Sequence, residues 1–398
     1  MRAIRTRDAP ALSIATCLVL ALALIASARA AAASVAQPAR GEQTFTPVIQ
    51  DVVSTPRWFR GIDGLVHVQY DLRLINGFPI NATIQSIEVH RGGGGVLAEL
   101  AGDTLREAIS PVGSPSTTET TLPPSSAAFA FMDLTVTDPG GLPKRIVHTT
   151  TIEIEPGLPV PSTSVNTGAR ARVHQGPPVR IAPPLAGPRW TTVVGAHRRS
   201  MQPVNGRFVN GQRFAIDWNR LDEQYRPAFG DPATFASNPS YGAPLLAVAN
   251  GRVVEAVDGI PDQPPDRFEP VGAEIADGNV VILRLAPNVF AGYAHLVPGS
   301  VRVEHGDRVR TGDVLGELGN SGNSNGPHLH FQLMNEPSLL ASTGLPLEFR
   351  EFRLTGVIPS MDAFGEAFAT QTPVPFVTEG AGVYRNRTPV GVDILDLP

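Results

Sequence analysis

The sequence predicts an all-β protein: an N-terminal immunoglobulin-like β-sandwich followed by a second domain of antiparallel β-sheet. Three observations carry this. Val66, Val68, Tyr70, Leu72 and Leu74 alternate with His67, Gln69, Asp71 and Arg73, a period of two with one apolar face. Further short runs of the same kind follow without helical periodicity. Gly (39) and Pro (38) make up nearly a fifth of the 398 residues, with no collagen-like period, which fits turn-rich β structure. That length has room for two or three domains.

The chain starts with Arg2, Arg5 and Arg7, an apolar run from about Ala11 to Ala28, and Ala28-Arg29-Ala30. A basic start, an apolar centre and a small-x-small site read as a signal peptide over residues 1–30 and predict an exported protein, periplasmic or extracellular. The single cysteine, Cys17, lies inside it, so the mature chain has no thiol for a disulfide or a nucleophile. Its loss with four Arg and one Asp leaves 28 basic and 36 acidic residues, a net charge near −8 against −5 for the whole chain. No basic run is present, which argues against a nucleic-acid partner. With 42% hydrophobic and 17% charged residues, the composition excludes a mainly disordered chain.

The sandwich is expected over residues 46–156. Phe129 and Phe131 open one of its strands, and Ile146, Ile152 and Ile154 share the parity of another. Gly92 to Gly95 lacks a following Gly-Lys-Ser/Thr, so it reads as a hairpin turn and not a phosphate loop. Residues 157–188 are rich in proline (Pro159, Pro161, Pro177, Pro178, Pro183, Pro184, Pro188) and read as a linker, placed where it could cover a groove. A second β-rich region spans 189–350. Residues 351–398 form a C-terminal extension with no clear period.

The chemistry concentrates in the second region. Gly326-Pro327-His328-Leu329-His330-Phe331 puts two imidazoles on one face of a strand. The glycines before it allow a close backbone approach. Tyr293-Ala294-His295 follows the apolar strand Val280 to Leu285. Phe214-Ala215-Ile216-Asp217-Trp218 sets a carboxylate in an apolar strand, which is costly unless paired or bound to metal. No Gly-x-Ser-x-Gly elbow is present. Trp190 and Trp218 read as core residues, and His67, His90 and His148 as ordinary strand or loop residues.

From Phe214 to Phe331 these segments, with Pro244-Leu245-Leu246-Ala247 and Gly251-Arg252-Val253 between them, resemble the M23 family of zinc metallopeptidases, of lysostaphin or LytM-like type. The resemblance implies an antiparallel β-sheet M23 peptidase domain with one Zn²⁺ in a groove. Carried over, Asp217 and His330 are metal ligands, and His295 and His328 are catalytic. It also implies peptidoglycan peptides as substrate and a bacterial source. The family's first ligand would fall at position 213, but the residue there is Arg213, which has no lone pair to donate. Two arrangements follow. Either His197 bends in as the third ligand, displaced by an inserted hairpin between Ser200 and Gln212 with an Asn205-Gly206 turn, or the site holds no metal. The first predicts a zinc metalloendopeptidase acting through an activated water, with His295 and His328 titrating near neutrality. The second predicts a metal-free M23-like binding module that regulates another cell-wall hydrolase.

Overall fold

The computed structural model describes residues 45–113, 117–195 and 197–398. The signal-peptide reading and Cys17 fall outside these residues. The described chain is almost wholly strand, with short helices at Gly102–Ala108 and Met361–Thr370. Among the described residues no helix is long and apolar enough to cross a membrane.

The N-terminal part is built from two five-stranded sheets. One runs Val48–Val52, Val66–Asn76, Ala127–Val136 and Ile109–Pro111, with Arg57–Arg60 added to Val66–Asn76. The other runs Thr163–Arg172, Arg145–Ile154, Ala82–Arg91 and Val96–Ala101, with Thr121–Leu122 added to Ala82–Arg91. Val68, Tyr70, Leu72 and Leu74 meet Ile84, Ile87, Ile146 and Ile152 in one core. The alternation along Val66–Asn76 hides a second buried face. His67, Gln69 and Asp71, expected to face solvent, are buried as well, because that face lies against the second domain. Phe129 is on the same outward parity, its ring 4.9 Å from that of Phe208.

The second domain is a twelve-stranded sheet. Its central strands, in spatial order, are Val392–Leu397, Gly187–Val194, Ile216–Arg220, Leu329–Met334, Val289–Leu296, Asn279–Ala286 and Gly251–Val257, each antiparallel to the next. Ile216, Trp218, Leu329, Phe331, Leu333 and Tyr293 point to one face and share a core with Trp190 and Phe349. The residues of opposite parity, Asp217, His330 and Gln332, therefore line the other face.

Two expected boundaries are corrected. The proline-rich segment 157–188 is integrated and not a free linker: Thr163–Arg172 pairs with Arg145–Ile154, and Val179–Ile181 pairs in parallel with Leu347–Phe349. It does not line the groove described below. Most of its prolines stand between short strands, and Pro188 lies where the register of Gly187–Val194 shifts between Gly187 and Trp190, so a missing N–H interrupts no ladder. The C-terminal extension is not separate either. Leu347–Ile358 crosses the expected boundary at 350, and Gly382–Arg387 and Val392–Leu397 complete the same sheet. Residues Thr46 to Pro398 form one compact unit. Its two parts are tied by the Arg60 guanidinium, which donates to both Glu348 oxygens at 2.8 Å, and by an ion pair between Arg213 and Asp71. Glu348, Arg213 and Asp71 are buried, so removal of either partner would strand a charge at a cost of about 3–5 kcal/mol.

Candidate metal centre

Antiparallel register places the first two functional side chains. Asp217 faces His330 across the strand pair, and His330 faces Ala294, the neighbour of His295, on the other side. His330 Nδ1 lies 3.0 Å from Asp217 Oδ1. His197 comes from the turn that follows Gly187–Val194 and reaches the same carboxylate, its Nε2 at 2.8 Å from Oδ2. Ligating atoms of His197, Asp217 and His330 all lie within 4.8 Å of one another. The hairpin expected from Asn205-Gly206 is present: Gln202–Val204 pairs with Arg207–Val209, and both turn residues have positive φ (51° and 74°).

Arg213 takes no part in this cluster. Its side chain turns into the interface with the sandwich, where it meets Asp71 and donates to Ser54 Oγ at 3.2 Å. The residue at the expected ligand position thus holds the two domains together, and His197 approaches Asp217 from another direction.

The remaining imidazoles are set by backbone carbonyls. His295 Nδ1 lies 2.7 Å from the Ser321 carbonyl, and His328 Nδ1 lies 2.8 Å from that of Gly326. Each Nδ1 must donate, so each Nε2 is a bare acceptor turned to the cavity. Their rings are 4.8 Å apart, and His328 Nε2 is 3.8 Å from Asp217 Oδ1. His295 sits at φ 66°, a strained value for a residue with a side chain. Close packing holds it there. The His295 amide donates to the Asp277 carbonyl, and Ser321 Oγ donates to Leu296 O. The Asn279 side chain bonds Ile260 and Leu296. Gly278 and Gly322 let these two loops touch. A Cβ on Gly322, already at φ 76°, would lie 2.3 Å from the Gly278 nitrogen.

Sequence reasoning missed Gln332, although its parity with His328 and His330 on the strand was the available signal. Gln332 Nε2 donates to the carbonyls of Leu339 at 3.1 Å and Gly211 at 3.3 Å. This orients the amide so that Oε1 accepts from His330 Nε2 at 2.9 Å. His330 Nδ1 is therefore the atom with the free lone pair, and it faces a carboxylate oxygen. Two lone pairs at 3.0 Å repel unless a cation lies between them. A proton or a metal ion satisfies that requirement, and the two compete for the same nitrogen. A donor set of two imidazoles and one carboxylate suits zinc.

The electrostatics agree with this reading. Burial alone would push the Asp217 carboxyl up, but His328, His197 and His330 together hold it well below the usual carboxylate range. Burial lowers His330, yet Asp217 and Gln332 outweigh it and leave the group raised. His295 and His328 differ from the expectation of titration near neutrality. Burial is the largest influence on both, and both are pushed down, His295 well below its ordinary value. Asp277, also on the cavity wall, is pushed up by burial.

The cluster opens into a cavity of about 910 Å³. Phe268 and Val271 form one apolar side, and Met361, Phe364 and Phe368 of the C-terminal helix form another. Trp190 and Trp218 are in the core, as expected. His148 is a buried sandwich residue held by the Tyr70 hydroxyl and the Ala169 carbonyl.

In this groove two imidazoles and a carboxylate converge on one point, and two more imidazoles flank them. Residues 234–341 match the model of peptidase family M23, so the chain carries an M23 peptidase domain. That segment contains His295, His328 and His330; Asp217 and His197 precede it. The chain is 25% identical over 150 residues to peptidoglycan DD-endopeptidase ShyC of Vibrio cholerae, covering 37% of this chain and 33% of that protein. It is 25% identical over 209 residues to cell division protein DipM of Caulobacter vibrioides, covering 51% of this chain and 30% of that one. The match thus spans about a third of the length of these relatives. Among solved structures, the catalytic domain of lysostaphin from Staphylococcus simulans is 23% identical, with 36% of this chain and 80% of that chain covered and a TM-score of 0.22.

Proposed function

We propose that this protein is an exported zinc metalloendopeptidase that hydrolyses peptide cross-links of bacterial peptidoglycan. The observation that carries the reading is the His330 lone pair, fixed by Gln332 and aimed at Asp217 beside His197. The similarity to a named peptidoglycan endopeptidase supports the substrate class. The signal-peptide pattern of residues 1–30 supports export. The alternative of a metal-free module drew on Arg213, whose side chain is committed to Asp71.

His197, Asp217 and His330 would hold the ion. Zinc held there would supply Lewis acidity for the scissile carbonyl and for acidifying the attacking water. His295 and His328 supply the proton traffic. Burial keeps both neutral at neutral pH, and their locked Nδ1–H groups leave Nε2 able only to accept. Either imidazole can take the proton of the attacking water, and only then become a donor to the leaving amine. His328 is better placed to carry the positive charge, because Asp217 is 3.8 Å away. The apolar groove walls bury the backbone of a bound peptide and exclude bulk water.

The test is incubation of purified, zinc-loaded protein with purified peptidoglycan, with counting of newly exposed amines. The reading expects amine release that a chelator abolishes, that added zinc restores, and that His328→Ala removes. No amine release by the zinc-loaded protein would reject it.

A further inference from the structure

Asp217 and His330 are held by adjacent strands of a large sheet, but His197 has no such support. It lies in a turn that leaves the sheet at Gly195, at φ 87°, and is closed by local bonds from Arg198 N to Gly195 O and from Ser200 N to His197 O. Such a turn has more freedom than a central strand, and freedom in a ligand weakens the centre it serves. What fixes this turn comes largely from the N-terminal sandwich. Arg198 Nη1 lies 3.3 Å from Asp133 Oδ2. Asp133 is itself held by His67 Nδ1 at 3.1 Å and Gln69 Nε2 at 3.0 Å. The next residue, Arg199, donates to the Glu107 carbonyl of the sandwich. Farther along the insertion, Phe208 packs edge-on against Phe129, and Asn210 Nδ2 returns to the Arg198 carbonyl at 2.9 Å.

We propose that Asp133 and Arg198 are positioning residues for the metal, so that the sandwich completes the centre by holding the turn that carries His197. This rests on the reading of His197, Asp217 and His330 as the metal site. It gives the sandwich a role within the reaction centre, although none of its residues lines the groove. It also accounts for the exchange at position 213. That residue is used to bind the sandwich through Asp71, and the sandwich in turn presents the substitute ligand. Arg198 and Asp133 are only partly exposed, with side chains at 29% and 21%, so water screens their pairing incompletely.

The test compares the full protein with Asp133→Asn, Arg198→Met and the double variant. Zinc affinity is read by competition with a chromophoric chelator, and the visible d–d bands of the cobalt-loaded protein report ligand geometry. Thermal unfolding of the metal-free proteins is measured alongside. Each single substitution is expected to weaken zinc binding by about tenfold, the scale of lost supporting contacts around a metal. Each should also alter the cobalt bands, and the double variant should bind no more weakly than the weaker single one. Zinc affinity within twofold of wild type in both single variants overturns the proposal, whatever their thermal stability. So do independent losses that multiply in the double variant. If Asp133→Asn fails to fold, Arg198→Met decides by the same criteria. Failure of the wild-type protein to bind zinc rejects the metal-site reading itself, a result distinct from variants that bind as wild type does.

Discussion

Replacement of Gln332 by Leu tests the device that sets the His330 lone pair. The substitution keeps the side chain's approximate volume but removes the acceptor for His330 Nε2 and the donor to Gly211 and Leu339. Gln332 is fully buried, so no water replaces it. Each buried polar group left without a partner costs about 1–3 kcal/mol, and two carbonyls and one imidazole N–H are exposed to that loss. A stability decrease of at least about 3 kcal/mol is expected. The separate effect on the metal is the informative one. Without its acceptor, His330 can move its proton to Nδ1 and donate to Asp217, which occupies the lone pair that zinc needs. Loss of such a supporting contact weakens metal binding by about 10–100-fold. Gln332→Glu is the control: its carboxylate still accepts from His330 Nε2 but cannot donate to the two carbonyls. It should lose stability while retaining much more of the zinc affinity. Chelator competition and urea unfolding on the same samples measure both. Zinc affinity in Gln332→Leu within twofold of wild type would refute the tautomer argument.

Further expectations concern protonation and packing. Activity as kcat/KM should fall on the acid side with an apparent pKa below 6.5, because His295 and His328 must be neutral to accept a proton and burial depresses both; an acid limb centred above 7 would contradict this. In the sandwich, burial pushes His148 down to about 4. The unfolded chain therefore binds this proton first as pH falls, and stability is lost between about 6.5 and 4, by roughly 3 kcal/mol. Denaturation of wild type and His148→Gln across that range should show a shallower pH dependence in the variant; equal slopes would count against it. Gly322→Ala should move the Ser321 carbonyl away from His295 Nδ1 and reduce kcat with zinc content intact, since a Cβ there meets the Gly278 backbone; unchanged turnover would show that the two loops can separate freely.

Much of the site was legible in the sequence because it is written locally. A carboxylate between Ile216 and Trp218 breaks an apolar strand, and two histidines at a spacing of two must share a face. Asn205-Gly206 specifies its turn through the positive φ that both residues accept. The parts that were not legible depend on partners far away in the chain. The burial of Arg213 is explained only by Asp71, and the outward residues of Val66–Asn76 read as a solvent face until a second domain covers them. The strand Leu347–Ile358 was hidden by its own irregularity. Phe349 and Phe352 are three apart yet both join the core, and the register shifts between Leu354 and Gly356, so no single parity runs through it. Gln332 followed the visible parity, but an amide carries no chemistry that singles it out before its partners are known. The histidine pKa values were misjudged for a related reason, since burial is a property of the assembled groove.

The central claim is that His197 substitutes for the ligand missing at position 213. Metal analysis of the purified wild-type protein and of His197→Ala, each equilibrated with the same low concentration of free zinc, tests it most directly. The account predicts one zinc per wild-type chain and a large loss in the variant. Equal zinc in both proteins, or none in the wild type, would contradict it.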